Sequence, residues 1–510
     1  MKRISLFFLF LILLLSFLLG ARMVLSGDFF YLYDQARDYL LVQNIVDTRD
    51  LVLIGSHSGL SGFFHGPLWL YILTPVYILG SGNPFSFTYA YVGLQLTTVL
   101  LAYLIGSKLY GNKGGLLISL LIALSPATWS TVQNTIGVNV VSLVFLGLFY
   151  FLIKFLRGNK NSFIFAAFFA GLSLQFETAL PLILIPVMVI IFLWNKIAIK
   201  NLRVILLSFI SYFLSLGTFI LFDLRHKFLM TNALIGVVKG GIKEKGYLEF
   251  EDRIIAHVNS LLAVYESILF NQNIWLIILM VIIFIIALIL IHRNNDIKYR
   301  KEFGFLLLFP ALTYGFFMLY SYPVWPEYVF GLLIPVAFAF YLALITVWKN
   351  SFGKILVIIF FVITSVNVLG FLQNQYLMKY QPVESAGSYI NQLAVVDWIF
   401  IDAEKGKFGY FVYTPETFTH GMDYLISWKA KSYPDKIPTK NKELITYLIL
   451  YPHIENDEGA YDFWKKNTLR TNSQILLTKT FIGGITVEKL LINKSEPEVD
   501  PNYYQGLLFR

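Results

Sequence analysis

The stretch Phe29-Phe30-Tyr31-Leu32-Tyr33-Asp34-Gln35-Ala36-Arg37-Asp38 places two carboxylates and a guanidinium directly behind a run of aromatic side chains. If it is helical, Asp34, Arg37 and Asp38 share one face through i+3 and i+4 spacing. A carboxylate held there can take the proton from a hydroxyl as that hydroxyl attacks an electrophilic carbon. The same residues also admit a plainer reading, in which Asp34 opens a helix and pairs with Arg37 at the surface. Position favours the chemical reading, because aromatic side chains gather at water–lipid boundaries and would hold the base beside a lipid head group.

Four other places carry reactive side chains. Glu177, in Leu174-Gln175-Phe176-Glu177-Thr178, lies between two apolar runs, where a carboxylate is costly without a partner. It reads either as a group at a tight helical-hairpin turn that reaches water or as a cavity-facing ligand for substrate or metal. Asp223-Leu224-Arg225-His226-Lys227 clusters cations behind another apolar run, and a guanidinium there suits bidentate contact with a phosphate. Juxtamembrane charges meeting anionic head groups would give the same pattern. His57 and His65 share a segment with the Asp34 group, and with Asp38 or Glu177 they leave a divalent-metal site open, although no ligand spacing supports one. His65-Gly66-Pro67 is otherwise the entry to a helix, and Glu327 behind Pro326 is a helix-start acid. No Walker loop, GxSxG or usable GxGxxG is present, so nucleotide hydrolysis and serine-hydrolase chemistry lack a motif. With no cysteine, disulfides, thiolate zinc sites and cysteine nucleophiles are excluded.

These residues are set in a chain of 510 that is 57% hydrophobic, 17% aromatic and only 14% charged, with a mean hydropathy of +0.66. Such a composition belongs to a polytopic membrane protein. Runs of roughly 20 apolar residues occur near 4–24, 85–106, 114–130, 138–156, 162–176, 178–194, 204–222, 274–291, 303–320, 327–348 and 353–372, which predicts about eleven transmembrane helices, the first an uncleaved one. The stretch 63–80 is short and contains Pro67 and Pro75, so it is read as lying in the interface. Charge supports this arrangement. It leaves sixteen Lys and Arg facing only Asp296 and Glu302 on the inner side, whereas a crossing at 63–80 would invert every later loop. The N-terminus is then cytoplasmic, and the segments 26–84, 223–273 and everything after 373 lie outside. The net charge of +9 sits in these short membrane-flanking clusters, and nucleic acid is not expected as a partner.

Residues 1–372 are thus expected to form the transmembrane domain, with a catalytic first outer loop at 26–84, and 373–510 an extracytoplasmic domain. In the latter, β-type runs at 408–413, 444–451, 475–481 and 485–492, with a Gly483-Gly484 turn, alternate with helical patterns at 385–403 and 418–431. A small α/β or α+β domain follows. Neither an internal repeat nor a low-complexity tract is visible, which weakens a transporter built from inverted repeats.

The order of features in the first 370 or so residues resembles the GT-C superfamily of integral-membrane glycosyltransferases, specifically the group of protein O-mannosyltransferases, aminoarabinose transferases and RgtA/B/C/D-like enzymes. The resemblance lies in Tyr33-Asp34-Gln35-Ala36-Arg37-Asp38 after the first span, then Gly66-Pro67-Leu68-Trp69-Leu70-Tyr71, a Gly80-Ser81-Gly82-Asn83-Pro84 break, Gly106-Ser107-Lys108-Leu109-Tyr110-Gly111 and Leu124-Ser125-Pro126. It implies a hexosyl- or pentosyltransferase of the plasma membrane that takes its sugar from a polyprenyl-phosphate donor. The resemblance places the base of an inverting transfer at Asp34; the reading of the residues themselves adds Asp38 and Glu177 as further catalytic candidates and Arg37, Arg225, His226 and His65 as substrate-binding ones. O-mannosyltransferases carry Asp-Glu where this chain has Asp34-Gln35, which favours a glycolipid or polysaccharide acceptor over a protein. The competing readings are a flippase for a polyprenyl-linked sugar and a polysaccharide polymerase or ligase. A transporter would bury paired charges in mid-span, whereas here charges gather at span ends.

Overall fold

The computed structural model of the chain describes residues 2–58, 62–129, 132, 135–194, 199, 201–238, 248–269, 273–293, 299–377, 384–414, 418–452, 459–493 and 495–500. Two compact units emerge. One comprises Met1–Arg22, Val52–Trp69 and Ala90–Met378, the other Met23–Leu51, Leu70–Tyr89 and Lys379–Arg510.

Apolar helices build the first unit. Among the described residues six helices are long and apolar enough to cross a membrane: Arg3–Gly20, Pro84–Leu124, Gly137–Leu156, Ile274–Arg293, Pro326–Val347 and Ser351–Tyr376. The pair Leu202–Ser215 and Gly217–Arg225, bent by 65°, makes a broken seventh. Each of the eleven expected spans has a helical counterpart, but length and charge separate them. The runs near 85–106 and 114–130 merge into Pro84–Leu124, interrupted at Gly111, whose φ of 79° suits a residue without Cβ. The runs near 162–176 and 178–194 are only Ser162–Ser173 and Ala179–Trp194. At ~1.5 Å per residue these reach about 18 and 24 Å, short of a ~30 Å hydrocarbon layer. Arg300–Phe317 opens on Arg300, Lys301 and Glu302. The segment expected in the interface contains Leu68–Leu79, twelve residues with Pro75 inside, also too short to span.

Leu333–Val347 is buried at nearly every position. That burial explains its apolar character all round, the mark of a core helix. Glu302, in sequence one of two acids among sixteen inner cations, has a structural partner. Arg157 donates to its two oxygens at 2.8 and 3.0 Å, and Tyr110 Oη donates at 2.9 Å. Fork geometry of this kind strengthens a charge pair that has lost much of its water.

The second unit carries a five-stranded sheet of β1 (Gly406–Tyr413), β2 (Lys436–Thr439), β3 (Ile445–Leu450), β4 (Gln474–Thr480) and β5 (Thr486–Leu491), in the order β2-β1-β3-β5-β4. β1 pairs in parallel with β2 and β3, and β5 runs antiparallel to β3 and β4. The helices Tyr389–Asp402 and His420–Ala430 complete the small α/β domain read from the sequence. Only β2 escaped that reading, because four residues with Pro438 inside give no alternation to see. Gly409 lets the chain pass from β2 to β3, since a Cβ there would lie 2.4 Å from the Asn441 carbonyl.

Residues 23–51 and 70–89 belong to this unit as well. Buried Asp28 accepts from Ser388 Oγ at 2.9 Å, so it anchors the start of Tyr389–Asp402. Helix Tyr33–Thr48 packs through Tyr39 against Phe87, ring centroids 3.9 Å apart, and against Tyr424. Tyr424 Oη in turn donates to the Gly82 carbonyl at 2.5 Å, which fixes the Gly80–Pro84 break. This aromatic packing holds the helix that bears Asp34.

Candidate active site

Helix Tyr33–Thr48 starts where Leu32 leaves extended backbone, and the Gln35 carboxamide accepts from the Leu32 N–H at 2.9 Å. Gln35, fully buried, therefore caps the helix. One turn in, Arg37 joins the two carboxylates. Nη1 donates to Asp34 Oδ1 at 2.5 Å, while Nε and Nη2 donate to Asp38 Oδ1 at 3.2 and 3.1 Å. Exposure divides the three: the Asp38 side chain is 2% exposed, Arg37 18% and Asp34 36%. Asp38 holds Arg37 from beneath, Arg37 orients Asp34, and Asp34 alone of the two acids meets solvent. Burial alone would pull the Arg37 guanidinium down, but Asp38 and Asp34 overrule it and hold the group above its ordinary value.

His420, at the start of His420–Ala430, joins this cluster from far along the chain. Burial lowers its imidazole below the ordinary value, Asp423 opposes the shift and Arg37 adds to it, so the ring is neutral at pH 7. The ring is held by the Tyr33 backbone, and Nδ1 is buried with no partner among the described residues. Tyr33 and His420 both stack on Phe418, at centroid distances of 5.1 and 5.6 Å. No local pattern announces His420, because its meaning depends on tertiary folding.

The remaining candidates belong to the first unit. Glu177 is 0% exposed and reaches no water, contrary to one expectation. Its two oxygens accept from the Ala179 and Leu180 amides at 2.9 and 2.8 Å, capping Ala179–Trp194 at the turn. Burial pushes its carboxyl up to about 7, against the pull of those amides. Arg225 ends Gly217–Arg225 and is exposed. His226 stacks on Phe222 with Nδ1 2.8 Å from the Phe222 carbonyl, and Asp223 caps the next helix by accepting from the Met230 and Thr231 amides. His65 works through its backbone, which pairs with Gly55 and Ser56 in a small hairpin. The hairpin packs Phe64 against Phe222. Among the described residues no three His, Asp or Glu side chains gather where they could hold a metal ion.

No family model matches the chain, and no curated protein sequence does either. Solved structures do. ArnT from Cupriavidus metallidurans bound to undecaprenyl phosphate superposes with a TM-score of 0.59 at 10% identity, over 95% of this chain and 97% of that one. The apo form of the same protein gives 0.57 at 11%, over 96% and 98%. The archaeal oligosaccharyltransferase AglB from Archaeoglobus fulgidus, in complex with an inhibitory peptide and a dolichol-phosphate, gives 0.53 at 11% over 83% of this chain, which spans 64% of that one. The chain shares the fold of these structures: a polytopic helical membrane protein with a small C-terminal sheet domain. At the level of fold, the resemblance seen in the sequence is borne out.

Proposed function

We propose that the chain is a membrane glycosyltransferase that moves a sugar from a polyprenyl-phosphate donor to an acceptor hydroxyl on the outer face of the plasma membrane, with inversion. The observation that carries this is the Asp34–Arg37–Asp38 array, a solvent-reaching carboxylate oriented by a guanidinium that a buried carboxylate holds in place. Asp34 takes the proton of the acceptor hydroxyl as its oxygen forms the bond to the anomeric carbon. The bond from that carbon to the phosphate oxygen breaks on the opposite face, and the polyprenyl phosphate leaves with the electron pair. Asp38 and Glu177, both buried, serve as supports in this scheme.

Two proteins of the same fold hold undecaprenyl phosphate and a dolichol-phosphate, which supports a lipid-phosphate donor here. As a separate proposal, Arg225 and His226, both exposed, are the residues of the first unit assigned to substrate binding, the guanidinium being suited to bidentate contact with a phosphate. Gln35 is committed to a helix cap, so Asp34 acts without an acidic neighbour at that position, and a glycolipid or polysaccharide is the favoured acceptor.

The test is incubation of the purified chain with a synthetic polyprenyl-phosphate sugar and a panel of glycolipid acceptors. Release of polyprenyl phosphate coupled to acceptor glycosylation is expected. Movement of the intact donor across proteoliposomes without either product would reject the proposal in favour of a flippase.

A further inference from the structure

A cleft of about 310 Å³ opens in the second unit, lined among others by Tyr31, Tyr33, Gln392, Thr414, Phe418 and Tyr451. That is the low end of the ~300–1,000 Å³ found for small-molecule sites. Among the described residues its lining holds no charged side chain, so no fixed charge there favours a phosphate or a carboxylate. Buried polar atoms without partners are present instead. Gln392 is 2% exposed, and its Nε2 donates to the Tyr31 and Ala386 carbonyls at 2.8 and 3.0 Å, but its Oε1 has no donor among the described residues. Tyr31, 1% exposed, likewise has an unpaired Oη. A buried polar group left without a partner is costly, and two at one cleft are an unfilled demand for hydrogen bonds.

Gly421 shows where that demand would be met. A Cβ built on it would stand 2.9 Å from Gln392 Oε1, 3.7 Å from the Tyr31 ring and 3.9 Å from Tyr451 Oη. The glycine thus keeps open a space at hydrogen-bond distance from the unpaired oxygen. A hydroxyl suits all three groups, since it donates to the amide oxygen and exchanges bonds with phenols. The aromatic walls suit the apolar C–H face of a ring.

We infer that this cleft seats an uncharged, hydroxyl-bearing ring, the saccharide part of the acceptor. Its place in the chain agrees: Tyr33 directly precedes Asp34, and Thr419 and Gly421, both in the lining, flank His420. The acceptor role rests on the transfer reaction proposed above, whereas binding in the cleft does not.

The full chain in detergent is titrated with methyl α-D-mannopyranoside and methyl β-D-glucopyranoside, followed by saturation-transfer difference NMR. Glucose 1-phosphate and N-acetyl-glycyl-serinamide serve as charged and peptide comparisons. A neutral glycoside binds best, and Gly421→Ala weakens it by about tenfold, with Tyr31→Phe weakening it less. Gly421→Ala puts a better helix former into His420–Ala430, so the variant folds. Asp34→Asn binds the glycoside as wild type does. Equal binding by wild type and Gly421→Ala, absence of glycoside binding, or stronger binding of the phosphate or the peptide would each overturn the inference. Glycoside binding without any transfer would instead strike the proposed reaction and leave the cleft standing.

Discussion

Both units contain a buried carboxylate near the start of a helix, yet they are put to different use. Glu177 spends both oxygens on the amides of one helix end, and no cation among the described residues pairs with it. Asp38 spends its charge on Arg37, which passes orientation on to Asp34, and Asp34 keeps an open side. A carboxylate saturated by backbone amides and shut from water has nothing left for a substrate. In the proposed reaction the chemistry falls to the residue that a neighbouring pair positions but does not enclose, and an acid stranded among apolar residues is not by itself a site.

The contrast breaks first under paired amide substitutions. Asp34→Asn should reduce transfer by about 100- to 10,000-fold while leaving donor binding nearly intact, because only the carboxylate can accept the proton. Glu177→Gln should keep most activity. Comparable losses in both, measured as kcat/KM on the same donor, would erase the distinction.

Next comes Arg37→Leu, which leaves Asp38 buried beside Asp34 without a counter-ion. Breaking such a buried pair costs about 3–5 kcal/mol, so chemical denaturation should show a large loss of stability. Arg37→Leu combined with Asp38→Leu should recover part of it. A single variant as stable as wild type would make the array a surface ion pair.

The two units should also respond oppositely to pH. Glu177 titrates near 7 folded and near 4.5 unfolded, so the native state holds the extra proton and its contribution to stability falls as pH rises between those values. His420 is depressed in the folded state, so the unfolded chain holds the extra proton and stability rises with pH up to the ordinary imidazole range. Thermal melts from pH 4.5 to 7.5 should show a flattened downward slope in Glu177→Gln and a flattened upward slope in His420→Gln. Unchanged slopes in both would contradict the burial described.

The smallest effect on folding is expected at Arg225. An exposed side chain at a helix end changes stability by no more than about 0.5 kcal/mol, so Arg225→Ala should melt normally. If the guanidinium holds the donor phosphate, Arg225→Lys should nonetheless raise the donor KM measurably and Arg225→Ala more so. Equal donor KM in wild type and Arg225→Lys would leave Arg225 a juxtamembrane anchor.

Much of this was legible in the sequence. Apolar run length marked the helices, alternation marked β1, β3, β4 and β5, and i+3/i+4 spacing marked the Asp34–Arg37–Asp38 face, all of them local signals. What escaped depends on tertiary folding. The pairing of Arg157 with Glu302 joins segments 145 residues apart. The capping role of Glu177 needed the turn geometry, and His420 acquires its meaning only once the sheet domain folds against helix Tyr33–Thr48. Gly421 and Gln392 were equally silent, because a cleft has no sequence period.

The central claim is that one carboxylate, acting as a base, drives a single displacement at the anomeric carbon. The most direct measurement is the anomeric configuration of the glycosylated product, read from its one-bond C–H coupling by NMR, when the donor is a polyprenyl-phosphate sugar of known anomer. Inversion is predicted for every productive donor. Retention would rule out a single back-side displacement and would contradict Asp34 as its base.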